Sequence, residues 1–551
     1  MKNKYLLIIP LVLVIVAAIF ASLLSEKCDI VFSAGNESIC VWQDADVSYV
    51  FVPSYAHLSD LRLKSHPLYI NDVYYTPESD FGGLKTGEKY EYSIKTLTDY
   101  RTGFIVFEKS ENVASIFIKT ESGVTERLET DRENKENASI FVYDADGTPD
   151  AHGKIKIRGR GNSTWSADKK PYNIYFEKST SVLGMKSAKN WALLANAYDH
   201  SNVRNKAVYD FSASLPLEYS PHCEYADVYF NGVYGGLYLI SEKAEEDNNR
   251  LELTDGDYLI KLDDEIRLTE KDVYFTLDSG MNCVVEYPER PDGKRLAFIS
   301  NVFQRFENSA LSDGWEEYID IDSWAYRYLV DELFMNVDSL YLSTYFYYKH
   351  ETGKIYAGPV WDFDYSLGSL IQTAEPHSLL ANREYAKAYR CTPWYYELLK
   401  KDKFRARVSQ IYESEIYQLA KHYAEEYIPE IADKIKSAAA LNSVRRKAFY
   451  NEDAFPKDLN PAETASMLSE RADFLKSMLV DNEPYHQVRV QIIDADQYLI
   501  LCVPTGGHFN EEQKEILNNL AQRGKLAFEI TDEPFDIDMT VNDDIRIKIM
   551  Y

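Results

Sequence analysis

The apolar positions change period several times along the chain, and the changes mark out its elements. From Asp29 to about Arg132 they alternate in short runs (VSYVFVP, YEYSIKTL, TGFIVFE, ASIFIKT), broken by turns such as Phe81-Gly82-Gly83 and Ser122-Gly123. Alternation of this kind belongs to half-buried strands, so residues 27–132 read as a small all-β domain of sandwich type. The charged stretch Asp131 to Asn137 has no apolar period and reads as a linker. Asp144-Ala145-Asp146-Gly147 opens like a calcium loop, but the later ligands are missing, and a hairpin turn is the better reading.

The pattern is densest between Asp322 and Gly368. Trp324, Tyr328, Leu329, Leu333 and Phe334 recur at helical spacing, with Asp322 placed to cap the helix. The helix should run out near Asn336 and leave Asp338 in a loop. Tyr341 to Lys349 and Lys354 to Val360 are rich in aromatic and β-branched residues around Glu351-Thr352-Gly353, which predicts a hairpin. Its second strand delivers Trp361-Asp362-Phe363-Asp364. Upstream, Asn190 to Leu215 reads as a strand and then a helix capped near Asp199 or Ser201, with Arg204 in its first turn. Ala226 to Glu242 reads as a hairpin turning at Asn231-Gly232, Asp257 to Asp263 as a strand, and Arg295 to Leu311 as a helix. After Gly368 the chain is mostly helical, over Trp394–Lys400, Phe404–Tyr427, Pro429–Phe449 and Asn460–Val480. Residues 484–551 form a last, small α+β module without evident chemistry. The fold class is therefore α+β.

At the N-terminus, Tyr5 to Leu24 is almost wholly apolar behind Lys2 and Lys4. That predicts a signal anchor or transmembrane helix over residues 1–26, with a cleaved signal peptide as the rival. Either one places the body of the protein outside the cytoplasm, membrane-anchored or secreted. With 551 residues there is room for about two to four domains. A net charge of −28 argues against nucleic-acid partners. The 43 tyrosines suit extracellular β-structure and exposed binding faces. The six cysteines show no C-x-x-C spacing that would suggest zinc; Cys28 and Cys40 are near enough to close a small disulfide loop, and the others read as buried thiols. The histidines are not paired at metal spacing.

Candidate chemistry gathers at two places. Asp362 and Asp364 sit among Trp361, Phe363 and Tyr365, where solvated charges are not expected. With Asp338 they offer the carboxylates that phosphoryl transfer needs, one to orient an attacking hydroxyl and another to hold magnesium. The plainer reading is a turn cap and two surface charges. The second place is the loop Arg158-Gly159-Arg160-Gly161-Asn162-Ser163-Thr164-Trp165 between two strands, followed by Lys169 and Lys170. Its glycines admit close backbone approach and its arginines and hydroxyls are donors, so it could cover phosphates, although a simple β-turn reads as well. It is neither a Walker A loop nor a dinucleotide fingerprint.

RGRGNSTW with KKPYNIYF, NWALLANAYDHSNVRN, VYFNGVYGGLYLISEK, NVDSLYLSTYFYY and GKIYAGPVWDFDYSLG occur in the order found in the CotH (spore coat protein H) kinase family, which the chain resembles from about Ser139 to Ala420. The resemblance implies an atypical, two-lobed protein-kinase-like domain over residues 133–483. Such a domain would use ATP and Mg²⁺ or Mn²⁺ to phosphorylate Ser or Thr on secreted or surface proteins. It implies Asp338 as the catalytic aspartate and Asp362, with Asp364, as metal ligands. Arg158, Gly159, Arg160, Gly161, Asn162 and Ser163 would form the phosphate-covering loop, Lys170 or Lys169 would be the phosphate lysine, and Glu242 would belong to the nucleotide pocket. One position departs from the orthodox kinase pattern: Ser343 stands where the catalytic loop has an asparagine for a second metal. The other reading is a catalytically weak or inactive kinase-like adhesin or scaffold that binds proteins or glycans through its tyrosine-rich faces. A hydrolase built on paired carboxylates is a distant third.

Overall fold

The computed structural model describes residues 30–95, 100–370, 373–381, 392–446, 459–491 and 498–550. The expected membrane anchor, Cys28 and Cys391 lie outside these residues. Among the described residues no helix is long and apolar enough to cross a membrane. The fold is mixed α+β, and two compact units divide it.

The first unit comprises the chain up to Gly159, the segment Tyr225–Tyr238, and residues from 434 onward in the helix Ile428–Arg445. Its six-stranded sheet runs in the order Trp42–Asp44, Val47–Val52, Tyr100–Lys109, Lys89–Lys95, Leu68–Ile70, Val73–Tyr75. All pairs are antiparallel except Val47–Val52 with Tyr100–Lys109, which is parallel. Val31–Ala34 pairs with Glu37–Cys40 and with Leu61–Leu63. Phe32 from this second group meets Phe81 and Phe107 edge to face, at 5.3 and 5.6 Å, so the two layers share one core. The stretch expected as a linker is in part strand: Lys135 to Asn137 already pair with Lys156 to Arg158 and open the strand Lys135–Tyr143, which pairs with Ala114–Thr120 on one side and Pro149–Gly159 on the other. Asp144 to Gly147 is a turn between strands, closed by a bond from the Gly147 N–H to the Asp144 carbonyl.

The second unit carries the sequence's candidate aspartates. Its five-stranded antiparallel sheet runs Tyr274–Thr276, Asn282–Tyr287, Tyr258–Asp263, Thr344–Lys349, Lys354–Ala357. The helices Gly293–Ala310 and Ile321–Leu333 cover it through rings. Trp324 stacks on Phe346 at 4.8 Å and meets Phe306 at 4.7 Å, and Trp394 closes the cluster against Phe306 at 5.2 Å. The predicted hairpin is present but shorter, because the chain makes further turns at Leu340 and Ser343 before pairing begins at Thr344. Two boundaries differ from the expectation. The cap of the helix Ile321–Leu333 is Asp320, whose carboxylate accepts from the Ser323 N–H at 2.8 Å; Asp322 lies within the first turn and pairs with Arg407 at 2.7 Å. The helices expected on either side of Ile428 follow one another without a break, through single π-turns at Tyr412–Ile416 and Tyr423–Tyr427. Pro429 has no N–H to give, and a wider turn just before it accommodates the missing bond.

The C-terminal strands Tyr498–Pro504, Tyr485–Gln491, Ile545–Met550 and Lys525–Phe528, with the helix Glu511–Ala521, form the α+β module that the alternating pattern predicts.

Candidate active site

The turn that carries Asp338 is built from the end of the helix Ile321–Leu333. Asp331, fully buried on that helix, accepts from the Arg327 guanidinium at 3.0 Å, the Asn336 side-chain amide at 2.9 Å and the Ser339 hydroxyl at 2.8 Å. Arg327 also donates to the Pro359 carbonyl at 2.9 Å. One ion pair therefore ties the helix, the turn and the end of the hairpin together. Asn336 accepts in turn from the Asp338 N–H at 3.1 Å, and the Asp338 carbonyl receives the N–H groups of Tyr341 and Leu342. Asp338 itself is half-buried, in the loop that the spacing predicts.

The segment after the hairpin is held by the helix Arg204–Ala213. Asn205, 1% exposed, donates from its amide to Asp364 Oδ1 at 2.6 Å and accepts the Phe363 N–H on its oxygen at 2.9 Å. The Tyr209 hydroxyl accepts the Asp362 N–H at 3.3 Å, and its ring stacks on Trp361 at 5.9 Å. Arg204 reaches the Leu367 carbonyl at 3.1 Å while paired with the fully buried Asp199 at 2.6 Å; Asp199 also receives the first N–H of the helix. From the other side, the Ser343 hydroxyl donates to Asp362 Oδ2 at 2.9 Å. Leu340, Ser343, Asp362 and Leu367 all take positive φ, of 57°, 50°, 67° and 38°. Each such residue costs on the order of 1–3 kcal/mol and persists only where its surroundings over-determine it.

The glycine-rich loop meets this segment from Arg160 onward. The Arg160 guanidinium lies 5.3 Å over the Trp361 ring. The Ser163 hydroxyl bonds the Tyr365 oxygen, the Ser163 carbonyl accepts from Tyr198 at 2.8 Å, and the rings of Tyr198 and Tyr365 stack at 5.3 Å. Gly161 has φ +83°, and a Cβ there would collide with Thr164 Oγ1, so this turn requires glycine.

Electrostatics single out Asp364. Burial pushes its carboxyl up to about 7; the nearby charges of Asp362 and then Asp199 add to the rise, and Arg160 and the Asn205 amide oppose it. The Asp338 turn reaches the same segment: the Asp338 carbonyl accepts the Leu342 N–H at 3.0 Å, and the next residue, Ser343, donates to Asp362. Among the described residues no group of three or more His, Cys, Asp or Glu side chains is arranged as a metal centre. Two crowded carboxylates with oxygen donors alone nevertheless fit a hard divalent cation, which takes its remaining ligands from water and phosphate.

Of the residues singled out from the sequence, Asp338, Asp362, Asp364, Arg160 and Ser163 meet here. The others are placed differently. Arg158 pairs with Glu133 at 3.1 Å in the first unit, and Gly159 ends its strand there. Asn162 precedes the short 3₁₀ turn Ser163–Ser166. Lys170 donates to the Trp165 carbonyl at 2.7 Å, and Lys169 is buried. Glu242, also buried, belongs with Tyr219 and His222, accepting from the Tyr219 hydroxyl at 3.3 Å and the His222 N–H at 3.0 Å. The family model described as CotH kinase protein matches residues 157–476, more than half of the chain.

The chain belongs to the CotH kinase family. No curated protein matches it. The CotH match begins at Ile157, within the strand Pro149–Gly159, and ends within the helix Pro461–Leu479, and so takes in every residue of the site just described. Reading the sequence did not single out Asn205, Asp199 or Tyr209 as part of that site. The available signal was the run of polar residues Arg204, Asn205 and Lys206 at the start of a helix, all three of them buried. Hydropathy alone reads such a run as a solvated face.

Proposed function

We propose that the protein is a metal-dependent kinase that transfers the γ-phosphate of ATP to Ser or Thr of secreted or surface proteins. The observation that carries this reading is the convergence of Asp338, Asp362 and Asp364 with Arg160 and Ser163 of the glycine-rich loop, in a chain of a kinase family. In it the Asp338 carboxylate accepts the proton of the acceptor hydroxyl. That oxygen bonds the γ-phosphorus as the bond to the bridging oxygen breaks, and ADP leaves with the electron pair. Asp362 and Asp364 hold Mg²⁺ or Mn²⁺, which neutralises charge on the phosphates. Arg160 and the loop's N–H groups orient the phosphates, while Trp361, Phe363 and Tyr209 exclude water from one side of the site. Lys169 or Lys170 serves as a further phosphate contact and Glu242 as part of the nucleotide pocket. The apolar N-terminal segment anchors the protein to the membrane, or directs it out of the cell, where its substrates are. Exposed Tyr69, Tyr74 and Tyr100 (48%, 53% and 64%) favour a second reading, in which the first unit is a binding face for proteins or glycans.

The test is autophosphorylation of the purified protein with labelled ATP and Mg²⁺ or Mn²⁺, beside Asp338→Ala and Asp362→Ala. Label on the wild type alone is expected. Absence of label, together with no nucleotide-induced rise in melting temperature, would transfer the assignment to the binding protein.

A further inference from the structure

Asn205 occupies an unusual place for a buried amide, because all of its hydrogen-bonding capacity is directed at the candidate metal segment and its surroundings. Its oxygen is committed to the Phe363 N–H at 2.9 Å, which prevents the amide from turning over. Its nitrogen is thereby fixed toward Asp364 Oδ1 at 2.6 Å, with Asn196 Oδ1 at 3.5 Å as the other neighbour. The helix that carries it cannot shift easily, since Asp199 holds both the first N–H and the guanidinium of Arg204, and Arg204 holds the Leu367 carbonyl. A carboxylate bonded in this way has one oxygen occupied by a neutral donor and the other left to face the site. Asp362 is treated alike, its Oδ2 taken by the Ser343 hydroxyl at 2.9 Å.

We propose that Asn205 is a positioning residue of the metal site: it fixes Asp364 so that the carboxylate presents a single oxygen, in concert with Ser343 acting on Asp362. The proposal rests on the metal-dependent reading given above. It also accounts for Ser343 at the position where an orthodox kinase loop has asparagine. The serine is not a ligand but a donor to one, and Asn205, whose oxygen is taken by the Phe363 N–H, does the same for Asp364 rather than replacing a ligating asparagine. Outer partners that orient ligating carboxylates change metal affinity by about 10–100-fold when removed.

The experiment measures Mn²⁺ affinity, with and without ATP, by electron paramagnetic resonance or calorimetry. It compares wild type, Asn205→Ala, Asn205→Asp, Asp362→Ala and Asp364→Ala, and records the melting temperature of each without metal. Asn205→Asp decides the matter. Its ionised carboxylate has nearly the same shape and still accepts the Phe363 N–H, but it has no proton to give Asp364 and adds a like charge. The expected result is a loss of Mn²⁺ affinity of about 10-fold or more in both Asn205 variants. If Asn205→Ala fails to fold, the isosteric Asn205→Asp carries the test. Wild-type affinity in folded Asn205→Asp, beside lost binding in Asp364→Ala, would reduce Asn205 to a backbone support and overturn the proposal. Undiminished Mn²⁺ binding in both Asp362→Ala and Asp364→Ala would instead overturn the metal reading beneath it.

Discussion

The turn around Asp338 and the segment around Asp364 are both organised by carboxylates set into the interior of one unit, but the two are balanced in opposite ways. Beneath the turn, Asp331 is fully buried with a guanidinium, an amide and a hydroxyl on its oxygens. Its charge is cancelled and its bonds are made, which leaves it nothing further to do. Asp364 has one amide bond and the more distant Arg160, and it faces the like charges of Asp362 and Asp199. A satisfied carboxylate holds a fold together. A crowded one keeps an interaction in reserve for something that is absent from the chain itself.

The contrast is broken most severely by Asp331→Ala. It strands Arg327 in the interior, and a stability loss of roughly 3–5 kcal/mol is expected, read by urea or thermal unfolding without nucleotide. Asp364→Asn should act in the opposite direction. It removes a like charge, and the new amide oxygen can still accept from Asn205, so the metal-free protein gains about 0.5–2 kcal/mol while losing Mn²⁺-induced stabilisation. A loss of stability there would place Asp364 with Asp331 as a structural residue. A pH series sharpens the same point. The Asp364 carboxyl is raised from 3.8 unfolded to about 7 folded, so the native state holds a proton that the unfolded chain releases. Its unfavourable contribution is therefore absent below the lower value and grows as pH rises toward the upper one. The melting temperature of the metal-free wild type should fall, relative to Asp364→Asn, across that window. The smallest effects concern the exposed end of the same helix. Asp320→Ala removes its cap and should cost about 1 kcal/mol, whereas Asp322→Ala removes only the exposed pair with Arg407 and should cost about 0.2–1 kcal/mol, less at high salt.

Much of this organisation is legible in the sequence, and the reason differs with the element. Alternation gave the longer strands Val47–Val52, Lys89–Lys95, Tyr100–Lys109 and Ala114–Thr120 and those of the C-terminal module, but not short ones such as Leu61–Leu63 or Val73–Tyr75, and helical spacing from Trp324 to Phe334 gave the helix before Asp338. Asp362 and Asp364 stood out because aromatics surround them. The cap was misplaced because Asp320 and Asp322 are chemically equivalent candidates two residues apart, and only the chain path into the helix distinguishes them. The helical segments around Pro429 were divided because a proline normally ends a helix, and a π-turn is not visible in composition. Asn205, Asp199 and Tyr209 could not be assigned for a different reason. Asn205 and Tyr209 bond residues more than 150 positions away, and Asp199 bonds Arg204, which in turn reaches the distant Leu367; such pairing is a property of the fold.

Trp361 has a use that concerns observation rather than catalysis. Its indole is buried between the Tyr209 ring and the Arg160 guanidinium and is joined directly to Asp362. Whatever enters beside Asp362 and draws on Arg160 must change the field and the contacts of that indole. With seven tryptophans in the chain, the difference between wild-type and Trp361→Phe emission isolates its signal. The site thus carries an optical reporter of its own, through which occupancy can be followed in real time on unlabelled protein, before any substrate is known.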